Sequence, residues 1–133
     1  YLEEKDRPTT TAGYIDLAKR LNAASLRYAE HGISFGWHNH DFEFVQLADG
    51  GIPMDILLDE APGITWEADL AWIVRGGRDP LDYITRYGSR LAAIHVKDIA
   101  APGTHEDEDG WSDLGRDWRT AARARHRLPG PDP

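Results

Sequence analysis

The chain of 133 residues predicts an α/β fold in which parallel strands alternate with helices. Three short apolar segments have the composition of strands, and each ends in polar residues. Segments with helical spacing separate them, so the strands are too far apart in sequence to form hairpins. Right-handed crossovers then bring the C-terminal ends of the three strands to one edge of a sheet.

The first half of the chain predicts a long helix, a strand and a short helix. Apolar residues recur at helical spacing over residues 12–31, a threonine in the preceding loop caps that helix, and Gly32 ends it. Residues 33–37 form the first strand, which leads into the polar run 38–43. A glycine-rich turn follows, and a short helix is predicted over residues 54–60.

The second half repeats this pattern. The second strand is predicted over residues 64–68 and ends at Asp69. Residues 70–75 form a helical turn, and an Asp-Pro pair begins a helix over residues 79–87. The third strand covers residues 91–96. The order of elements therefore predicts about three β/α units.

Composition excludes several classes of protein. The net charge of −8 is unfavourable for binding nucleic acid or an anionic membrane, and the absence of cysteine excludes disulfides and thiolate metal sites. No segment has the ~20 apolar residues that a membrane-spanning helix needs. We therefore expect a cytoplasmic protein, and the missing initiator methionine predicts a longer parent.

The sequence predicts one partial domain over residues 1–120, followed by a tail of different character. Arginine and proline crowd residues 121–133, and no apolar period continues there. We interpret this tail as disordered or as foreign to the original fold, as a truncated or frameshifted gene product would be.

The three strand ends carry residue types that bind metals. His38 and His40 would point the same way along a strand, Asp69 ends the second strand, and His95 ends the third. Neutral imidazoles and carboxylates suit Mn²⁺, Co²⁺, Zn²⁺ or Mg²⁺. The alternative is that each polar residue merely ends its strand at the solvent edge, which three successive strands make less plausible.

Other residues near these ends are candidates for catalysis and substrate binding. Glu67 faces the same way as Asp69 and would be a metal ligand, a substrate contact or a catalytic group. Lys97 would neutralise a developing enolate, bind an anionic group of the substrate or form a strand-end ion pair. Trp72 would contact substrate or fill the core. Glu43 lies beyond the first strand, and we expect it either to contact substrate or to support a side chain that binds the metal.

These segments together resemble the xylose isomerase-like TIM barrel family of sugar phosphate isomerases and epimerases. The matching stretches are residues 37–44, 66–80 and 94–98, and the resemblance extends over residues 8–118. It implies a parallel-stranded (β/α)8 TIM barrel, present here as a partial barrel of about three β/α units.

The resemblance also implies a metal site. Family members usually hold one divalent ion with Glu, Asp, His and Glu from four strand ends. Asp69 resembles the family Asp and His95 the family His, while the first Glu is replaced around His38 to His40. Trp72 stands where many relatives carry a histidine, and the last Glu would come from a later strand.

The implied function is metal-dependent proton transfer next to a sugar carbonyl, through an enediolate. The alternatives are a dehydratase or lyase on the same barrel, and an inactive fragment or sugar-binding pseudo-enzyme. A small carbohydrate is the expected partner, and the open sheet edges of a partial barrel favour association into a homo-oligomer. An apurinic-site endonuclease on this barrel is disfavoured by the charge of −8.

Overall fold

A computed structural model of the protein describes residues 2–96, and its helices and strands follow the predicted order. They are α1 (Thr11–Ala29), β1 (Gly36–His38), α2 (Pro53–Glu60), β2 (Thr65–Asp69), α3 (Leu70–Arg75), α4 (Pro80–Tyr87) and β3 (Leu91–His95). Short 3-10 turns cover Glu4–Asp6, Asp41–Phe44 and Gly88–Arg90.

The strands form one parallel sheet in which β2 lies between β1 and β3. The register pairs His38 with Glu67 across β1 and β2, and Asp69 with His95 across β2 and β3. Parallel pairing through helical crossovers confirms the predicted α/β architecture. It also places the three C-terminal strand ends at one edge of the sheet.

Two helices begin where capping residues predict. The hydroxyl of Thr10 accepts a hydrogen bond of 3.2 Å from a backbone N–H in the first turn of α1, and a carboxylate oxygen of Asp79 accepts one of 2.8 Å at the start of α4. Helix α1 ends at Ala29, two residues before the predicted end. Gly32 lies in the following turn with a φ of 70°, which favours glycine.

The first strand lies later in the sequence than predicted. Residues 33–37 were expected, whereas β1 covers Gly36–His38. Ile33 is 52% exposed, and Phe35 stacks on Tyr28 with ring centroids 5.4 Å apart. Strand β2 begins only at Thr65, which pairs with Gly36 and whose backbone N–H donates to the carbonyl of Phe35 at 3.0 Å, so the strand pairing starts after Phe35.

The core lies between the helices and the outer face of the sheet. Trp66 and Ala68 of β2 are completely buried there, so the alternation of the strand turns Glu67 and Asp69 to the other face. The buried apolar residues form two clusters, which contain Phe44, Met54, Leu58, Trp66, Ala68, Ile73, Tyr83 and Tyr87, and Tyr14, Leu17, Ala18, Leu57, Ala61 and Ile64.

The predicted domain end at residue 120 and the predicted tail 121–133 lie outside the described residues. Within residues 2–96, every helix is too short or too polar to cross a membrane.

Candidate metal and substrate site

The C-terminal ends of the strands bring two imidazoles and a carboxylate together. His38, Asp69 and His95 offer ligand atoms that all lie within 4.8 Å of one another. Nδ1 of His95 is 3.1 Å from Oδ2 of Asp69, and Nε2 of His38 is 3.6 Å from the same oxygen. The predicted convergence of the strand ends is therefore observed, whereas metal ligation by these residues stays a prediction.

The chemistry of this donor set fits a divalent metal ion. Bonds from imidazole nitrogen or carboxylate oxygen to such ions are about 2.0–2.2 Å long, so two ligands of one ion lie at most about 4.4 Å apart. Oδ2 of Asp69 meets that limit with both imidazoles, at 3.1 Å from Nδ1 of His95 and 3.6 Å from Nε2 of His38. Two imidazoles among three donors favour a transition metal over Mg²⁺, which prefers oxygen ligands.

Asp69 lies at the bottom of the site and uses its two oxygens differently. Oδ1 accepts a hydrogen bond of 3.3 Å from the backbone N–H of Trp72 and so caps α3, while Oδ2 faces the imidazoles. The Asp69 side chain is fully buried, whereas the side chains of His38 and His95 are 30% and 39% exposed. The imidazoles therefore form the solvent-facing side of the site.

Glu67 lies beside His38, on the face that strand alternation predicts. Its Oε2 is 3.4 Å from Nδ1 of His38, so the imidazole lies between Glu67 and Asp69. A carboxylate against one ring nitrogen orients the ring and leaves the other nitrogen for a metal. The Glu67 side chain is 49% exposed, which leaves it accessible to a substrate. Its predicted catalytic role stays a prediction.

His40 is not among the three residues whose ligand atoms group together, although its ring centroid is 5.3 Å from that of His38. Strand β1 ends at His38, so His40 no longer follows the strand and instead caps the 3-10 turn Asp41–Phe44. Its ring centroid is 6.2 Å from that of Phe42 and 5.7 Å from that of Trp72. Metal ligation by His40 stays a prediction that this grouping does not support.

The predicted substrate contacts fall partly within the described residues. Trp72 is half-buried, and the guanidinium of Arg75 lies 5.1 Å from its ring centroid. Trp37 and Trp66 pack in the core instead. Trp72 is thus the tryptophan of these three that flanks the site with an accessible ring, and its contact with substrate stays a prediction. Lys97 lies outside the described residues.

Glu43 is buried beneath the polar turn, with only 1% of its surface exposed. Its carboxylate accepts a hydrogen bond of 3.0 Å from Nε1 of Trp37 and another from the backbone N–H of His40. Burial raises the pKa of Glu43 to about 7, although both hydrogen bonds and the charge of Arg7 act in the opposite direction. These hydrogen bonds show that Glu43 stabilises the polar turn. Its predicted contact with substrate stays a prediction.

Asn39 is a buried polar residue to which the sequence pattern assigned no role. Its Oδ1 accepts hydrogen bonds from Nε1 of Trp66 at 2.8 Å and from the backbone N–H of Asp69 at 3.0 Å. Its Nδ2 donates to the backbone carbonyl of Asp69 at 3.0 Å. Asn39 directly follows the site-facing His38, so strand alternation turns its amide towards the core, where a polar group needs partners, and this signal was present in the sequence.

Comparisons with known proteins give two similar solved structures, each described as a sugar phosphate isomerase/epimerase from Parabacteroides distasonis. One is 22% identical, with a TM-score of 0.65, over 78% of this chain and 41% of that chain. The other is 29% identical, with a TM-score of 0.66, over 76% of this chain and 40% of that chain. No protein-family model and no curated protein matches the chain.

These similarities confirm the predicted partial TIM barrel and the resemblance to sugar phosphate isomerases and epimerases. The chain spans about two-fifths of the length of each solved structure. A three-stranded parallel sheet over residues 2–96 agrees with that share of an eight-stranded barrel.

Proposed function

We propose that the chain carries the metal site of an isomerase or epimerase that moves a proton next to a sugar carbonyl. The observation that carries this proposal is the group of His38, Asp69 and His95, whose ligand atoms lie within 4.8 Å of one another at the C-terminal edge of the sheet. Parallel α/β barrels hold their active sites at this edge. The similarity to solved sugar phosphate isomerases/epimerases supports the reaction class.

Each residue of the site has a distinct role in this proposal. Asp69 supplies the negative charge that holds a cation, and the two imidazoles complete its ligands. A divalent ion (Mn²⁺, Co²⁺, Zn²⁺ or Mg²⁺), when bound, polarises a carbonyl and stabilises negative charge beside it. Glu67 is exposed enough to accept a proton from the carbon next to the carbonyl and to return it. Its carboxylate, 3.4 Å from Nδ1 of His38, also orients the imidazole ring.

A small carbohydrate is the proposed substrate. Trp72 offers a half-buried ring on which an apolar sugar face can stack. The net charge of −8 disfavours a nucleic-acid partner. We further propose a cytoplasmic location and association between copies of the chain.

Metal titration combined with an activity panel tests the proposal. Calorimetric titration with Mn²⁺, Co²⁺, Zn²⁺ and Mg²⁺ should detect binding at a single site, and the loaded chain should interconvert some of a panel of aldoses, ketoses and their phosphates. Asp69→Asn should strongly reduce both properties, whereas Asp79→Asn, at the cap of α4, should retain them. A chain that binds none of the four ions contradicts the proposal.

Carbohydrate binding without turnover is a second candidate, favoured by the two-fifths share of each solved structure that the chain spans. Barrel enzymes assemble their sites from several strand ends, and the described sheet supplies three. Sugar binding without conversion in the presence of metal would support this candidate. A dehydratase or lyase would instead release water or cleavage products in the same panel.

A further inference from the structure

We infer that Asn39 is a positioning residue that holds Asp69 at the bottom of the candidate metal site. The inference rests on the proposed function, because it concerns the geometry of a metal ligand. Asn39 acts through the backbone of Asp69, to which its side-chain amide is bound by two hydrogen bonds.

The amide of Asn39 continues the hydrogen-bond ladder between β1 and β2 beyond the end of β1. Strand β1 ends at His38, which pairs with Glu67. Two residues after Glu67, both backbone polar groups of Asp69 bond to Asn39, the N–H to Oδ1 and the carbonyl to Nδ2, each at 3.0 Å. The side chain therefore takes the place of a peptide group, and Asp69 stays anchored on the side where strand pairing has ended.

A third hydrogen bond fixes the orientation of this amide. Oδ1 of Asn39 also accepts from Nε1 of Trp66 at 2.8 Å, and Trp66 is completely buried in the core. A reversed amide would direct its NH₂ group at two donors, so only one orientation satisfies all three partners. Asn39 thus connects the core to the backbone of Asp69 through a buried and satisfied network.

This anchoring matters for metal binding because one oxygen faces two imidazoles. Oδ2 of Asp69 is 3.1 Å from Nδ1 of His95 and 3.6 Å from Nε2 of His38, so a shift of the Asp69 backbone changes both distances. Groups that orient metal ligands typically affect metal affinity about 10–100-fold when they are changed. We expect substitution of Asn39 to change metal affinity by this amount, although the three ligand residues themselves are not substituted.

The test compares Asn39→Ala with Asn22→Ala in the full chain. Asn22 is a matched control because its Oδ1 accepts a hydrogen bond of 2.7 Å from the backbone N–H of Gly63, near the other end of β2. Hydrogen exchange of the Asp69 amide is measured by NMR without metal, and Co²⁺ affinity by calorimetry. Asn39→Ala should accelerate that exchange about tenfold or more and weaken Co²⁺ binding about 10–100-fold, whereas Asn22→Ala should change neither.

Two outcomes overturn the inference: unchanged exchange at Asp69, or unchanged Co²⁺ affinity, in folded Asn39→Ala. If the unaltered chain binds no Co²⁺, the proposed function fails, while exchange at Asp69 still decides whether Asn39 holds this residue. If Asn39→Ala does not fold, Asn39→Asp replaces it. That variant keeps an acceptor for the Asp69 N–H but loses the donor to the Asp69 carbonyl, so for it the Co²⁺ criterion applies alone, and unchanged Co²⁺ affinity overturns the inference.

Discussion

The two ends of strand β2 are both held by polar side chains, yet they differ in the chemistry they leave available. At the N-terminal end, the guanidinium of Arg90 donates hydrogen bonds to the backbone carbonyls of Leu58, Ala61 and Ile64. Nη1 lies 2.8 Å from the oxygen of Leu58, and Nε lies 3.1 Å from that of Ile64. Arg90 therefore donates to carbonyls at the end of α2 and in the loop before β2, which have no hydrogen-bond donor within the helix.

At the C-terminal end of β2, the backbone is held by the neutral side-chain amide of Asn39. Asn39 binds the backbone of Asp69 and leaves Oδ2 of that residue facing His38 and His95. A cation such as Arg90 in this place would compete with a metal ion for the negative charge of Asp69. The difference agrees with the proposed function, in which one end of the strand contributes stability and the other holds the metal site, as in parallel barrels generally.

The largest expected effect lies at the C-terminal end. Asp69→Asn keeps the shape of the side chain and an acceptor for the cap of α3, but it removes the charge that a divalent ion needs. Metal affinity should fall more than the ~10–100-fold typical of groups around the ligands, and isomerase turnover should fall with it. Excess metal should restore part of the turnover.

Calorimetry and the activity panel measure both effects, with Arg90→Ala as the control at the opposite end. Unchanged metal content and turnover in Asp69→Asn would remove Asp69 from the site and weaken the case for His95.

The next effect lies at the N-terminal end. Arg90→Ala should lower the free energy of unfolding by about 3 kcal/mol, because three backbone carbonyls lose charge-assisted donors. Chemical denaturation measures the loss, and metal affinity of the folded chain should stay unchanged. Arg20→Ala is the control, since its exposed pair with Asp16 at 3.6 Å should contribute less than about 1 kcal/mol. Weakened metal binding at unchanged stability would contradict the separation of roles.

A pH-dependent effect is expected beneath the site. Burial raises the pKa of Glu43 from 4.5 to about 7, so the carboxyl group binds its proton more tightly in the folded chain than in the unfolded chain. Its contribution to the free energy of unfolding is complete below about pH 4.5 and is lost as the pH rises through about 7, by up to about 3 kcal/mol in total.

Denaturation series between about pH 5 and about pH 8 measure this decline. Glu43→Gln should reduce the decline, whereas Glu60→Gln, at the exposed end of α2, should retain it. Equal slopes for Glu43→Gln and the unaltered chain would show that Glu43 does not titrate in this range.

The smallest effect distinguishes charge from shape at the N-terminal end. Arg90→Lys keeps the positive charge, but a single ammonium group cannot reproduce the planar fork that reaches three carbonyls. The free energy of unfolding should fall by about 1–2 kcal/mol, between the unaltered chain and Arg90→Ala. Denaturation midpoints of the three proteins settle the order. A loss equal to that of alanine would mean that charge contributes nothing there.

Local patterns were enough to predict the order of the elements and the convergence of the strand ends. Thr10 and Asp79 cap helices through bonds that span two or three residues, so their signals lie within a short stretch of sequence. Each apolar strand ends in a polar residue, which is His38, Asp69 or His95. The parallel topology brings these strand ends to one edge of the sheet. Family resemblance then supplied the barrel and the reaction class.

Long-range packing decided the remaining features. Whether His40 still belongs to the strand that carries His38 depends on where β1 stops pairing with β2, and the apolar run 33–37 does not contain that information. The amide of Asn39 meets Asp69 across 30 residues of sequence, and Arg90 finds its carbonyls at similar separations. Alternation and capping are properties of neighbouring residues, whereas these partners exist only after distant segments have packed together.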